Sequence, residues 1–157
     1  SDVYKRQLLE EEPDIDVLVV AIGGGGLISG ISTAVKAINP AIKVIGVEPT
    51  GAATLYESLR AGRVVELAEI RTAANTLAPR QSAALNLEII QGCVDNIVLV
   101  TDEDMYAAAR WLWLEMGIAA ELSAAAAIAA IMTGKVSITP DQKVCALICG
   151  AGSDGIS

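Results

Sequence analysis

Four consecutive glycines, Gly23-Gly24-Gly25-Gly26, followed by Leu27, end an otherwise apolar run. With no side chains in the way, backbone of this kind can approach an anion closely and turn successive N–H groups toward it. A helix starting at the run would add the partial positive charge of its N-terminus. The chemistry this suits is phosphate binding. Each N–H to a charged oxygen is worth roughly 1.5–3 kcal/mol, so three or four could hold a phosphate monoester with no lysine in the loop. A plain strand-to-helix turn is the simpler alternative. A dinucleotide site is the sharper one: its G-x-G-x-x-G fingerprint needs a third glycine where this sequence has Ile28 or Ser29. Even so, Glu48 could stand in for the ribose-binding acid.

The flanking elements must put the run in position. Asp16 to Ile22 is a β-branched stretch of the sort buried on both faces of a parallel sheet. Leu27 to Ile38 has apolar residues at helical spacing and stops at Asn39-Pro40. Lys43 to Val47 is a second strand, completing a βαβ unit whose crossover should be right-handed, with the glycines at its ligand end. A helix is expected over Ala53 to Ala61. Val64 to Gln91 carries no clear periodicity, and Asn75 to Arg80 reads as loop. Asn96 to Val100 is a strand. Thr101 with Asp104 three residues on predicts a capped helix running to about Met116. A buried alanine-rich helix near Ser123 to Met132 and a last strand, Lys143 to Cys149, complete the pattern. Ser1 to Gln7 fits no element and is read, within an N-terminal segment 1–15, as foreign or clipped sequence. Residues 16–157 form the domain proper.

Composition removes several kinds of chemistry. The chain has 157 residues, 53% of them hydrophobic, enough for one sizeable core but short for two domains. A net charge of −8 repels nucleic acid and anionic membrane surfaces. With no histidine, Ser-His-Asp and Cys-His activation and imidazole metal sites are excluded. Cys93, Cys145 and Cys149 lack CxxC spacing, so a reducing cytoplasm is the simpler setting. The stretch Ile118 to Met132 is too short and too rich in alanine to span a bilayer. No signal-peptide pattern opens the chain.

From Asp16 on, the order Gly23-Gly24-Gly25-Gly26-Leu27, then Gly46-Val47-Glu48-Pro49, then Cys149-Gly150-Ala151-Gly152 resembles the fold-type II pyridoxal-phosphate enzymes, notably threonine and serine dehydratases and serine racemase. The resemblance implies a three-layer α/β/α fold with a mostly parallel sheet, like the tryptophan synthase beta-subunit, present here in part. It implies that Gly23, Gly24, Gly25, Gly26 and Leu27 hold the phosphate of pyridoxal 5'-phosphate through their amides, and that Cys149 is the neutral partner of the ring nitrogen. Glu121-Leu122-Ser123-Ala124 is similar to the family's Glu-Pro-Ser-Gly, which would set Glu121 near the cofactor ring or leave it a helix-start residue. Ala74-Asn75-Thr76 stands where the family reads Ala-Asp-Gly, so Thr76 adds bulk and a hydroxyl beside the pocket. Arg80 is either a fork for a substrate carboxylate or a solvated surface residue. Some members bind a divalent cation at positions that are Glu48, Ala52 and Thr54 here. The acidic third ligand is missing, so the metal is left unassigned, and Glu48 is by default a structural residue at the strand end.

None of Lys5, Lys36, Lys43, Lys135 and Lys143 has the context of a cofactor-anchoring lysine, so no catalytic residue is assigned. The expectation is the C-terminal part of an ammonia-lyase that eliminates the hydroxyl of a small hydroxy-amino acid to give a 2-keto acid and ammonia. The piece alone would be inactive. A Rossmann-like oxidoreductase domain and a binding module without activity are the alternatives. Racemisation and β-replacement stay open, and because the family commonly pairs, a homo-oligomer is compatible with it.

Overall fold

In a computed structural model the chain is described over residues 2–156, with side chains from residue 7. Four strands, β1 (Val17–Ala21), β2 (Lys43–Pro49), β3 (Asn96–Val100) and β4 (Val144–Ala146), form one sheet in the order β3-β2-β1-β4. Every pairing in it is parallel. The helices are α1 (Asp2–Glu11), α2 (Gly26–Ile38), α3 (Thr54–Ala61), α4 (Ala84–Cys93), α5 (Asp102–Met116) and α6 (Leu122–Met132).

The alternation of β1 explains the layers. Val17, Val19 and Ala21 pack with residues of α5 and α6, while Leu18, Val20 and Ile22 pack with residues of α1, α2, α3 and α4. Every β1 residue is buried, as a strand covered on both faces requires. The architecture is therefore three-layer α/β/α. α6 contributes seven buried alanines or small residues, among them Ala124 to Ala127, to the layer between α5 and the sheet. Their short side chains let the helix lie close to β1 and β2.

The N-terminal segment departs from expectation. Residues 2–11 are helical, and Leu9 is buried in the core layer of α2 with Leu8 packed beside it. The pattern was illegible because the contact of Leu8 and Leu9 with the core is tertiary packing that local sequence does not announce. Ser1 and Ser157 lie outside the described residues. β4 is also shorter than the expected Lys143 to Cys149. Its ladder with β1 closes at Ala146, although the Leu147 N–H still donates to the Val19 carbonyl at 3.0 Å.

Side chains close the ends of the ladder. Asp95 accepts from the Val44 N–H and from Lys36 Nζ, both at 2.8 Å, tying the start of β3 to β2 and α2. These donors outweigh the cost of partial burial and hold its carboxyl below the usual range. At α5, Thr101 Oγ1 accepts from the Asp104 N–H at 3.1 Å and the Asp104 carboxylate accepts from the Thr101 N–H at 3.0 Å, a reciprocal capping box. Thr101→Ala removes one of these acceptors and should cost about 1 kcal/mol, read as a lowered midpoint in urea unfolding with an unchanged slope.

Candidate functional site

The glycine run is the turn from β1 into α2. Gly25, the residue before the helix, has φ 92°, and a Cβ there would come within 2.7 Å of Leu55 Cδ1. Conformation and space both exclude a side chain. At Gly23 a Cβ would strike the Thr76 carbonyl, so the loop after α3 presses directly against the run. The first α-type bond of α2 runs from the Ser29 N–H to the Gly25 carbonyl, which leaves the preceding N–H groups of the helix without an intrahelical acceptor. They open at the carboxyl end of the sheet, where parallel α/β folds carry their ligands.

A cleft of about 260 Å³ lies there. One wall is the backbone from Gly23 to Ile28, and the others are Thr76, Leu77, Glu121, Ser123 and Cys149. The structure thus brings together, from four separate stretches, all the residues expected of the site except one. Glu121 precedes α6 and abuts Gly150, where any Cβ would strike its carboxylate. The Thr76 hydroxyl reaches Glu121 Oε1 at 3.4 Å. Partial burial pushes the Cys149 thiol up, and the nearby Glu121 charge adds to the effect, so the group is a neutral thiol at physiological pH.

Arg80 is the exception. Its Nε donates to the Leu67 carbonyl at 3.1 Å and its second guanidinium arm to the Ala68 carbonyl at 2.9 Å, with Glu66 at 4.0 Å. It holds an exposed loop together away from the cleft lining, as the surface reading of it allowed.

Glu48 takes the structural role at the strand end rather than either ligand role weighed for it. It is fully buried, and its two carboxylate oxygens accept from the Leu55 and Tyr56 N–H groups at 2.9 and 2.8 Å. It therefore caps the start of α3, where N–H donors rather than a ribose or a cation meet it. Thr54 donates its hydroxyl to the Pro79 carbonyl at 2.7 Å, so it too serves structure. Among the described residues no three His, Cys, Asp or Glu side chains gather as a metal set. The dinucleotide alternative loses its acidic residue by this geometry.

Two contacts at the glycine run had no counterpart in the sequence reading: Ser82 and Asn86 both donate to the Gly24 carbonyl. They lie in the stretch without clear periodicity, and a side chain reaching a carbonyl 58 or 62 residues away leaves no local signature.

The sequence profile of the pyridoxal-phosphate dependent enzymes matches residues 4–150. The chain belongs to this family. It is 36% identical over 95% of its length to phenylserine dehydratase of Ralstonia pickettii and 35% identical over 94% to L-threonine ammonia-lyase of Thermotoga maritima, covering 46% and 36% of those proteins. The chain thus spans less than half the length of these curated relatives. Among solved structures, the processed threonine deaminase isoform 2 of Solanum lycopersicum superposes with a TM-score of 0.87 at 32% identity, over 96% of this chain and 44% of that one. Serine racemase of Dictyostelium discoideum gives 0.86 at 33% identity, over 95% and 48%. The fold is the tryptophan synthase beta-like fold of the fold-type II enzymes, and the family's cofactor is pyridoxal phosphate.

The residues present fit that cofactor. A turn where a Cβ would clash at Gly23 and at Gly25 opens a helix whose first N–H groups can meet a dianionic phosphate, and a neutral thiol lining the same cleft suits a pyridine nitrogen.

Burial pushes the Glu48 carboxyl from 4.5 up to about 7, with the Leu55 and Tyr56 amides opposing the shift. Folded chain therefore keeps a proton that unfolded chain releases as pH rises from 4.5. Stability from this group is full below 4.5 and falls until about pH 7, by up to about 3 kcal/mol. With no histidine in the sequence, little else titrates in the upper part of that window. The urea midpoint should fall between pH 5 and pH 7.5, and Glu48→Gln should flatten that decline.

Proposed function

We propose that this chain is the C-terminal part of a pyridoxal-phosphate dependent ammonia-lyase acting on a small hydroxy-amino acid. The observation that carries the reading is one cleft shared by an anion-binding glycine turn and an uncharged thiol. In it the amides of Gly23 to Leu27 would hold the phosphate, Cys149 would meet the ring nitrogen, and Glu121 and Thr76 would border the ring. The names of the relatives, threonine ammonia-lyase and phenylserine dehydratase, support a substrate with a β-hydroxyl.

When bound, the cofactor supplies an electron sink that lets an amino acid lose its α-proton. Cys149 sets how strong that sink is. A thiol held protonated by burial and by the Glu121 charge would offer the ring nitrogen a neutral hydrogen-bond partner and no negative one. Thr76, tied to Glu121, narrows the space beside the ring, and that restriction bears on which side chains enter.

Among the lysines whose side chains are described, none lines this cleft. Lys36 is bound to Asp95, Lys135 to the Leu99 carbonyl and Lys143 to Glu12, and Lys43 lines a different surface cleft. The proposal accordingly puts the cofactor-anchoring lysine in the portion that the longer relatives have and this chain does not span.

The longer protein carrying this chain, supplied with cofactor, should convert L-serine or L-threonine to a 2-keto acid and ammonia. D-serine formed with no keto acid would replace elimination by racemisation. Cys149→Ser, which keeps a neutral partner, should leave the keto-acid kcat within about threefold. Cys149→Asp should lower it by about tenfold or more, a barrier change of about 1.4 kcal/mol. Equal rates for the two variants would remove the thiol from the mechanism.

A further inference from the structure

The Gly24 carbonyl receives two side-chain donors at once, Ser82 Oγ at 2.8 Å and Asn86 Nδ2 at 2.8 Å. Ser82 is buried in the turn before α4, and Asn86 is partly buried on its first turn. Neither lines the cleft, whereas Gly24 and Gly25 do. The peptide linking those two glycines is trans. In a planar trans peptide the C=O and N–H point in opposite directions. A carbonyl drawn toward α4 therefore turns the Gly25 N–H the other way, toward the cleft.

We propose that Ser82 and Asn86 are positioning residues that lock the Gly24–Gly25 peptide so that its N–H, and not its C=O, meets the phosphate of the ligand. Glycine on both sides of a peptide removes the steric barrier that elsewhere fixes its orientation. Without the two donors this peptide could rotate and present a carbonyl oxygen to an anion, exchanging an attraction for a repulsion. The same two residues also wall in Gly25, where a Cβ would lie 3.2 Å from Asn86 Cβ and 3.3 Å from Ser82 Oγ. α4 thus reads out as the back support of the anion cradle, although it touches no ligand itself. This inference rests on the phosphate reading of the glycine turn given above.

Titration calorimetry with pyridoxal 5'-phosphate and with pyridoxal, which lacks the phosphate, separates the two ideas. The wild-type chain should prefer the phosphorylated ligand. Asn86→Asp keeps the shape of the side chain but replaces a donor with a second acceptor against the Gly24 carbonyl. It should cut the preference by about tenfold or more, the worth of one charged hydrogen bond, and leave pyridoxal binding unchanged. Ser82→Ala should act in the same direction, and so should Asn86→Ala, which keeps a good helix former and guards against a folding defect in the aspartate variant. The 31P resonance of the bound ester should move toward its free position in each variant. A preference that survives in all three overturns the positioning role while leaving the phosphate site intact. A wild-type chain with no preference between the ligands overturns the phosphate reading itself.

Discussion

The turn at Gly25 is the constraint from which the rest of the structure follows. A strand covered on both faces must pass into a helix whose opening N–H groups face outward to the cleft, and it does so through one residue with φ 92°. That conformation costs any other residue type energy, and the neighbouring Leu55 leaves no room for one. The strand length, the start of α2 and the direction of its dipole are all set at that point. So is the position of the cleft at the carboxyl edge of the sheet.

Support for the turn comes from beneath, and it is layered. Glu48 at the end of β2 fixes the first amides of α3, and α3 carries the buried Leu55 that packs under Gly25. Thr54, next to Leu55, ties α3 to the Pro79 carbonyl, and the chain runs on from there to Ser82 and α4. A buried carboxylate is a costly device, and the upward shift of Glu48 records that cost. What it supplies is direction. Two amides on one carboxylate orient the start of a helix more narrowly than apolar packing would.

Much of this was legible in the sequence because it depends on local rules. The β-branched run Val17 to Ala21, the glycine stop and the Thr101/Asp104 spacing each state their conformation within a few residues, and the structure follows all three. The parts that were not legible depend on distant partners. The helix of residues 2–11 is fixed by Leu9 meeting the core, and α4 declares itself only through Leu87 and Ile90, since Leu85 on its first turn is exposed. The cleft members Thr76, Glu121 and Cys149 were found by motif order, which carries long-range information that periodicity does not. Arg80 shows the limit of reading a residue type alone: a guanidinium fork suits a carboxylate, yet two backbone carbonyls of its own loop satisfy it here.

The charges around the cleft have a consistent logic. On one side the amides of the glycine turn and the α2 dipole favour negative charge. Lining the same cleft, the Cys149 thiol is pushed up first by partial burial and further by the Glu121 charge. A ligand with an anionic ester and a neutral heteroaromatic nitrogen would match a cleft with those two features. A ligand carrying a second anion beside Glu121 would meet its charge. Backbone amides at the glycine turn and a neutral thiol at Cys149 are features that need neither histidine nor a cationic side chain in the cleft.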